Sequence, residues 1–282
     1  MVSSSSSSCN FPAIYNFGDS NSDTGGRSAA LTQIPPPYGE TNLGNPPKRG
    51  IIGFLELAAA EKLGLPYMSA YLDSVGTNFG RGVNFAATNS SNLAIQTNVT
   101  VDQTVATIPG ILDAAIQQLY GEGARAFWIH NTGPIGCLPF MAVPFKFRNG
   151  TLNQNGCVAY QNDVVQEFNQ QLKERVNNLS VAAFTYVDLY SAKLSLISDA
   201  KNQGFVDPLN YCCGTFVPTF VMCGLSAHVN GTTVHGDACG DPQDQIGWDS
   251  IHFTDAANSW ISSRILNCSM SDPPSPISSA CP

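Results

Sequence analysis

Charge is scarce in this chain: Asp, Glu, Lys and Arg together make up 12% of its 282 residues, and Lys plus Arg number only 13. With a net charge of -8 and a pI near 4.8, the field around the molecule repels phosphate backbones and anionic headgroups, which excludes nucleic acid as a natural partner. No apolar stretch approaches the roughly 20 residues a spanning helix needs, because Ile51 to Leu65 is interrupted by Glu56, Glu61 and Lys62. No membrane span is therefore expected. Met1 to Ser8 has neither a basic start nor an apolar core, so no signal peptide is visible. The nine cysteines contain no CxxC pair, and His is limited to four residues, so no metal or other cofactor is expected. There is no internal repeat and no linker. Residues 1–10 read as a disordered Ser-rich opening and residues 11–282 as one domain, expected to be monomeric.

What is present points out of the cell. Nine cysteines are too many for a routine cytosolic enzyme and read better as disulfides. Six sequons, at Asn89, Asn98, Asn149, Asn178, Asn230 and Asn267, could each accept a glycan in the secretory pathway. With few charges and abundant Ser, Thr, Asn and Gly, the surface is expected to be neutral and hydroxyl-rich.

Periodicity predicts an α/β fold. Phe11 to Phe17 is a short apolar run ending in Gly18-Asp19-Ser20, which reads as a buried strand opening into a loop. Ile52, Leu55, Leu57, Ala58 and Leu63 suggest a helix ending near Gly64. The segment from Pro109 to Tyr120 reads as a helix, followed by a strand at Ala126 to Ile129. The same rhythm returns with Val164, Val165, Phe168, Leu172, Val176 and Leu179 on one helical face, then a strand from Ala182 to Val187. Thr254 is placed to cap a last helix, and the Pro-rich tail reads as a surface strap ending at Cys281.

A serine hydroxyl becomes a nucleophile only when an imidazole takes its proton, and the imidazole works best when a carboxylate fixes its tautomer. Asp249 stands three residues before His252, close enough in a turn to reach the ring nitrogen facing away from a nucleophile. An isolated DxxH more often marks a surface turn with a capping Asp, and Gly18-Asp19-Ser20-Asn21 alone suits ordinary turn chemistry. His130, at a predicted strand end, reads as a satisfied core or loop histidine, and Phe127 and Trp128 as core. His228 and His235 lie in a sequon-bearing loop without an acidic pattern that would suggest a metal.

The two motifs in context carry more. Phe17-Gly18-Asp19-Ser20-Asn21-Ser22-Asp23-Thr24-Gly25 after a first strand and Trp248-Asp249-Ser250-Ile251-His252-Phe253-Thr254 near the end resemble the first and last blocks of plant GDSL esterases/lipases, the SGNH hydrolases. The resemblance runs on through Gly82-Val83-Asn84-Phe85-Ala86, the stretch from Phe127 to Pro139, Gly204 to Pro208 and Cys212-Cys213-Gly214, with fucosidase-like and early-nodule-type members close in appearance. It implies a three-layer α/β/α, flavodoxin-like fold around a mostly parallel sheet. It also implies Ser20 as nucleophile, His252 as base and Asp249 as the orienting acid. The family's oxyanion hole uses the nucleophile's own N–H, a Gly of the second block and an Asn of the third. Here Asn89 stands at that Gly position, and the third block, a GxND motif, is absent between Ile95 and Val101. A shorter piece is missing between Pro47 and Ile51. The resemblance leaves Cys268 as the odd cysteine.

The function implied is a secreted serine ester hydrolase acting through an acyl-enzyme on an acylated plant carbohydrate or secondary metabolite, its activity weakened by the loss of GxND. The alternative from another class is a catalytically inactive, GDSL-like carbohydrate-binding or defence protein.

Overall fold

The computed structural model describes residues 9–24, 54–71, 78–86 and 101–281. The first eight residues of the Ser-rich opening lie outside them, as do Asn89 and Asn98. Cys9, read as part of that opening, is held by a disulfide to Cys281 and by its N–H donating to the Ser278 carbonyl.

The strand at Phe11 to Phe17 forms as β1 (Ile14–Asn16), followed by helix α1 (Phe54–Lys62) and β2 (Gly82–Asn84). Helix α1 stops where predicted: Gly64 takes a φ of 66°, and the Leu65 N–H turns back onto the Ala60 carbonyl at 2.9 Å. Helix α2 (Val101–Gly121) runs through Pro109, the residue read as its start, and leads into β3 (Ala126–His130). Then come α3 (Pro139–Phe147), α4 (Ala159–Asn178), β4 (Ala183–Val187) and α5 (Leu189–Ser198). A hairpin of β5 (Ser226–Val229) and β6 (Thr232–His235), helix α6 (Asp255–Leu266) and the two-residue β7 (Ser271–Asp272) complete the chain.

Strands β3 and β4 pair in parallel from Ala126↔Ala183 to His130↔Val187, and β7 adds antiparallel to the other edge of β4. Alternation along β4 splits its side chains between two layers. Phe184 and Tyr186 pack with Leu112, Phe168, Leu172 and Val176 of α2 and α4. Val187 turns to the opposite face, joining Ala192, Leu196 and Ile197 of α5 and Ala257, Ile261 and Ile265 of α6. This is the expected α/β layering. Thr254 caps α6 as predicted, its hydroxyl accepting from the Ala257 N–H at 3.2 Å and donating to the Gln245 carbonyl at 2.7 Å.

Among the described residues the parallel strands form two sheets, β1–β2 with Ile14↔Gly82 to Asn16↔Asn84, and β3–β4–β7. Parallel strands are ordinarily covered on both faces, yet Tyr15 of β1 and Phe17 just beyond it are each 55% exposed. All five β3 residues are only partly buried, whereas Thr185, Tyr186 and Val187 of β4 are buried.

Four disulfides join Cys9–Cys281, Cys137–Cys157, Cys212–Cys239 and Cys213–Cys223, and Cys268 is the free thiol.

Candidate active site

Ser20 sits in the turn that follows β1. Asp19 accepts the N–H and the side-chain amide of Asn21, each at 2.9 Å, and its carbonyl accepts the Ser22 N–H at 3.2 Å, so the turn is built by its own Asp. Gly18 leaves room for the Ser22 hydroxyl, which a Cβ there would push aside. The turn is tied to β2 by Asn84, a buried residue whose role sequence reasoning missed. Its carbonyl oxygen accepts from the Asn16 amide and the Ala86 N–H, both at 2.9 Å. Its amide donates to the Ser22 carbonyl and the Thr24 hydroxyl. A fully satisfied polar side chain of this kind fixes a loop far better than packing alone. Beside it Phe17 stacks on Phe85 with ring centres 5.0 Å apart.

His252 and Asp249 come together as predicted. The turn is closed by the Trp248 N–H donating to the His252 carbonyl at 2.8 Å. One oxygen of Asp249 accepts the N–H groups of Ile251 and His252 at 2.7 and 2.6 Å, while the other meets His252 Nδ1 at 2.8 Å. Both side chains are buried, at 7% and 8% exposure. Burial pushes the Asp249 pKa up, but the hydrogen bonds from the His252 ring and from the two N–H groups outweigh it and hold the carboxyl below its usual range. An ionised Asp249 accepting Nδ1–H leaves His252 Nε2 as the free acceptor, the tautomer a general base needs. That Nε2 is buried and has no hydrogen-bond partner. Among the described residues no hydrogen bond joins Ser20 to His252. Asn89, the expected second oxyanion donor, lies outside the described residues.

The remaining histidines separate. His228 Nδ1 meets the Thr233 hydroxyl at 3.0 Å and His235 Nδ1 meets that of Ser226 at 2.8 Å, both on the β5–β6 hairpin rather than in a loop. That hairpin turns at Asn230-Gly231 with φ of 50° and 80°, the left-handed pair that Asn-Gly favours. His130 ends β3, partly buried, and is not satisfied: its Nε2 is shut off from water without a partner. Burial, and secondarily Lys193, lower its pKa to about 4. The loop leaving β3 is pinned by three asparagines. Asn131 bonds the Tyr186 hydroxyl, Asp188 and the Tyr190 N–H. Asn169 bonds both backbone groups of Thr132, and Asn162 accepts the Gly136 N–H.

Residues 95–265 match the model of the GDSL-like lipase/acylhydrolase family. The chain belongs to this family. A GDSL esterase/lipase of Arabidopsis thaliana is 38% identical over 353 residues, covering 97% of this chain and 90% of the relative. An esterase of Hevea brasiliensis is 35% identical over 356 residues, covering 98% and 90%. A protein named alpha-L-fucosidase 3 of Arabidopsis thaliana is 36% identical over 336 residues, covering 91% and 90%. Each alignment is longer than the 282-residue chain, so these relatives carry segments with no counterpart here. The GDSL chain is thus a hydrolase acting on ester bonds, with a small-molecule ester as its class of substrate. Four disulfides fit an oxidising, extracellular setting. Among the described residues no helix is long and apolar enough to cross a membrane.

Proposed function

We propose that the chain is a secreted serine esterase in which Ser20 attacks the ester carbonyl, His252 Nε2 takes and returns the proton, and Asp249 fixes the imidazole. The observation that carries this reading is the buried Asp249–His252 pair with its unpartnered Nε2. Ser20 forms the acyl-enzyme and water then releases the acid. The Ser20 N–H and the Asn89 N–H supply the oxyanion hole. The substrate is an acylated plant carbohydrate or secondary metabolite, in keeping with a chain poor in charged residues and rich in hydroxyls. Asn149, Asn178, Asn230 and Asn267, all exposed, are the glycan acceptors within the described residues.

Without the GxND side chain the hole is short of a donor, and loss of one donor lowers turnover by about 10²–10³. The test is labelling with a fluorophosphonate probe beside p-nitrophenyl acetate hydrolysis, on the chain and on a version carrying a family-like GxND segment. The expected result is a label on Ser20, lost in Ser20→Ala and in His252→Ala, with faster turnover by the restored form. A label on another serine, or turnover that persists in Ser20→Ala, overturns the assignment.

A further inference from the structure

We infer that Phe140, Phe216 and Phe220 form the subsite for the acyl group of the ester, and that this group is flat and apolar, of the aryl or arylalkenyl class. The inference rests on the His252 reading above. Both segments that carry these rings are hydrogen-bonded to the turn bearing Asp249 and His252. From one side the Phe140 N–H donates to the Ser250 carbonyl at 2.9 Å. From the other, the N–H groups of Cys212 and Cys213 donate to the carbonyls of Gly247 and Trp248 at 2.9 and 2.7 Å. The rings are one continuous set: Phe216 stacks on Phe220 with centres 4.8 Å apart, and Phe220 meets Phe140 edge-on at 5.8 Å. They are nevertheless open to solvent, with Phe140 at 42% and Phe220 at 40% exposure and Ile251 of the turn itself at 38%. An exposed contiguous apolar patch on segments bonded to the turn that carries the base is ordinarily a binding surface.

The patch is also preformed. Phe216 and Phe220 sit on the two arms of a tight loop closed by the reciprocal Thr215–Val221 backbone bonds at 3.0 and 2.9 Å. The loop is anchored by the Cys213–Cys223 and Cys212–Cys239 disulfides. Rings held in place before the ligand arrives lose little freedom on binding.

The chemistry of the lining selects the occupant. No Asp, Glu, Lys or Arg occurs from Leu138 to Phe145 or from Tyr211 to Leu225, so these segments offer no charged partner to an anionic acid or a cation. A sugar would need several hydrogen-bond groups, and this surface offers Phe, Val, Pro and Met with two threonines. Planar apolar groups gain from offset or edge-on contact with such rings beyond the burial of area alone.

The experiment compares p-nitrophenyl cinnamate with p-nitrophenyl acetate on the full chain, Phe220→Ala, Phe140→Ala and the bulk-preserving Phe220→Leu. Alongside, methyl cinnamate binding to Ser20→Ala and to Ser20→Ala/Phe220→Ala is titrated by NMR, a readout that needs no turnover. The expected result is a cinnamate-to-acetate ratio of kcat/KM that falls at least tenfold in both alanine variants and less in Phe220→Leu. Methyl cinnamate binding should weaken at least tenfold with Phe220→Ala. Ser20-dependent turnover with an unchanged ratio overturns the subsite and leaves the catalytic reading standing. Absence of Ser20-dependent turnover with ring-dependent binding overturns the catalytic reading and supports the patch. A chain that sediments as a dimer dissolved by Phe220→Ala marks the patch as a contact between copies and overturns the subsite.

Discussion

Mild acid should loosen this protein, and the cause is His130. Its ring meets Trp128 edge-on at 4.8 Å, with Nε2 out of contact with water and unpartnered. Protonation therefore strands a cation in an apolar site already under the influence of Lys193, which is why the pKa falls from 6.5 to about 4. In the unfolded chain the same ring titrates near 6.5. Between these values the unfolded state binds a proton that the folded state refuses, so stability is intact above pH 6.5 and is lost as pH falls toward 4. At about 1.4 kcal/mol per pKa unit the loss is about 3 kcal/mol, a large share of the roughly 5–15 kcal/mol that holds a domain together. Asp249 does not contribute in this window: its pKa is depressed from 3.8, so its stabilisation disappears only at lower pH. The assay is urea unfolding at pH 7.5, 5.5 and 4.5 on the wild type and on His130→Phe. The wild type should lose stability across the series, and the variant should lose about 3 kcal/mol less. Lys193→Met should raise the His130 pKa only in part, since burial is the larger cause. Equal pH slopes in wild type and His130→Phe would refute the reasoning.

Asp249→Asn should leave the fold intact and stop turnover. Its oxygen can still receive the Ile251 and His252 N–H groups, while its amide turns a donor toward Nδ1 and forces the wrong imidazole tautomer, a loss of about 10⁴ in kcat; unchanged melting with esterase activity above a hundredth of wild type would contradict this. Thr254→Ala removes the cap of α6 and a bond to the Gln245 carbonyl, so it should cost about 1–2 kcal/mol in chemical denaturation, with Thr254→Ser restoring most of it.

Local signals were legible in the sequence and distant pairings were not. The stripe of α4 at Val165, Leu172 and Val176, the cap at Thr254 and the three-residue spacing of Asp249 and His252 each depend on neighbours within one or two turns of chain. Asn162 and Asn169 lie on the same stripe and were passed over because their partners, Gly136 and Thr132, come from another segment. Asn84 escaped for the same reason, since it serves Asn16 and Ser22 more than sixty residues away. Helix α3 was hidden by Pro139, which is at home in its first turn, and by Pro144 inside the helix. The grouping of the described parallel strands into β1–β2 and β3–β4–β7 was not legible either, because pairing between strands has no local trace.

The Cys9–Cys281 bond decides what a single proteolytic cut does to this chain. It closes a covalent ring with a sequence separation of 272, and in the chain-entropy picture a ring of that size is worth about 5–6 kcal/mol. A protease that cuts once between those cysteines then produces neither two fragments nor a shorter molecule. It produces a circular permutant, with new termini at the cut and the old ones still joined. Such a nicked molecule runs as one species on a non-reducing gel and as two on a reducing gel, and its layers stay tethered for re-closure.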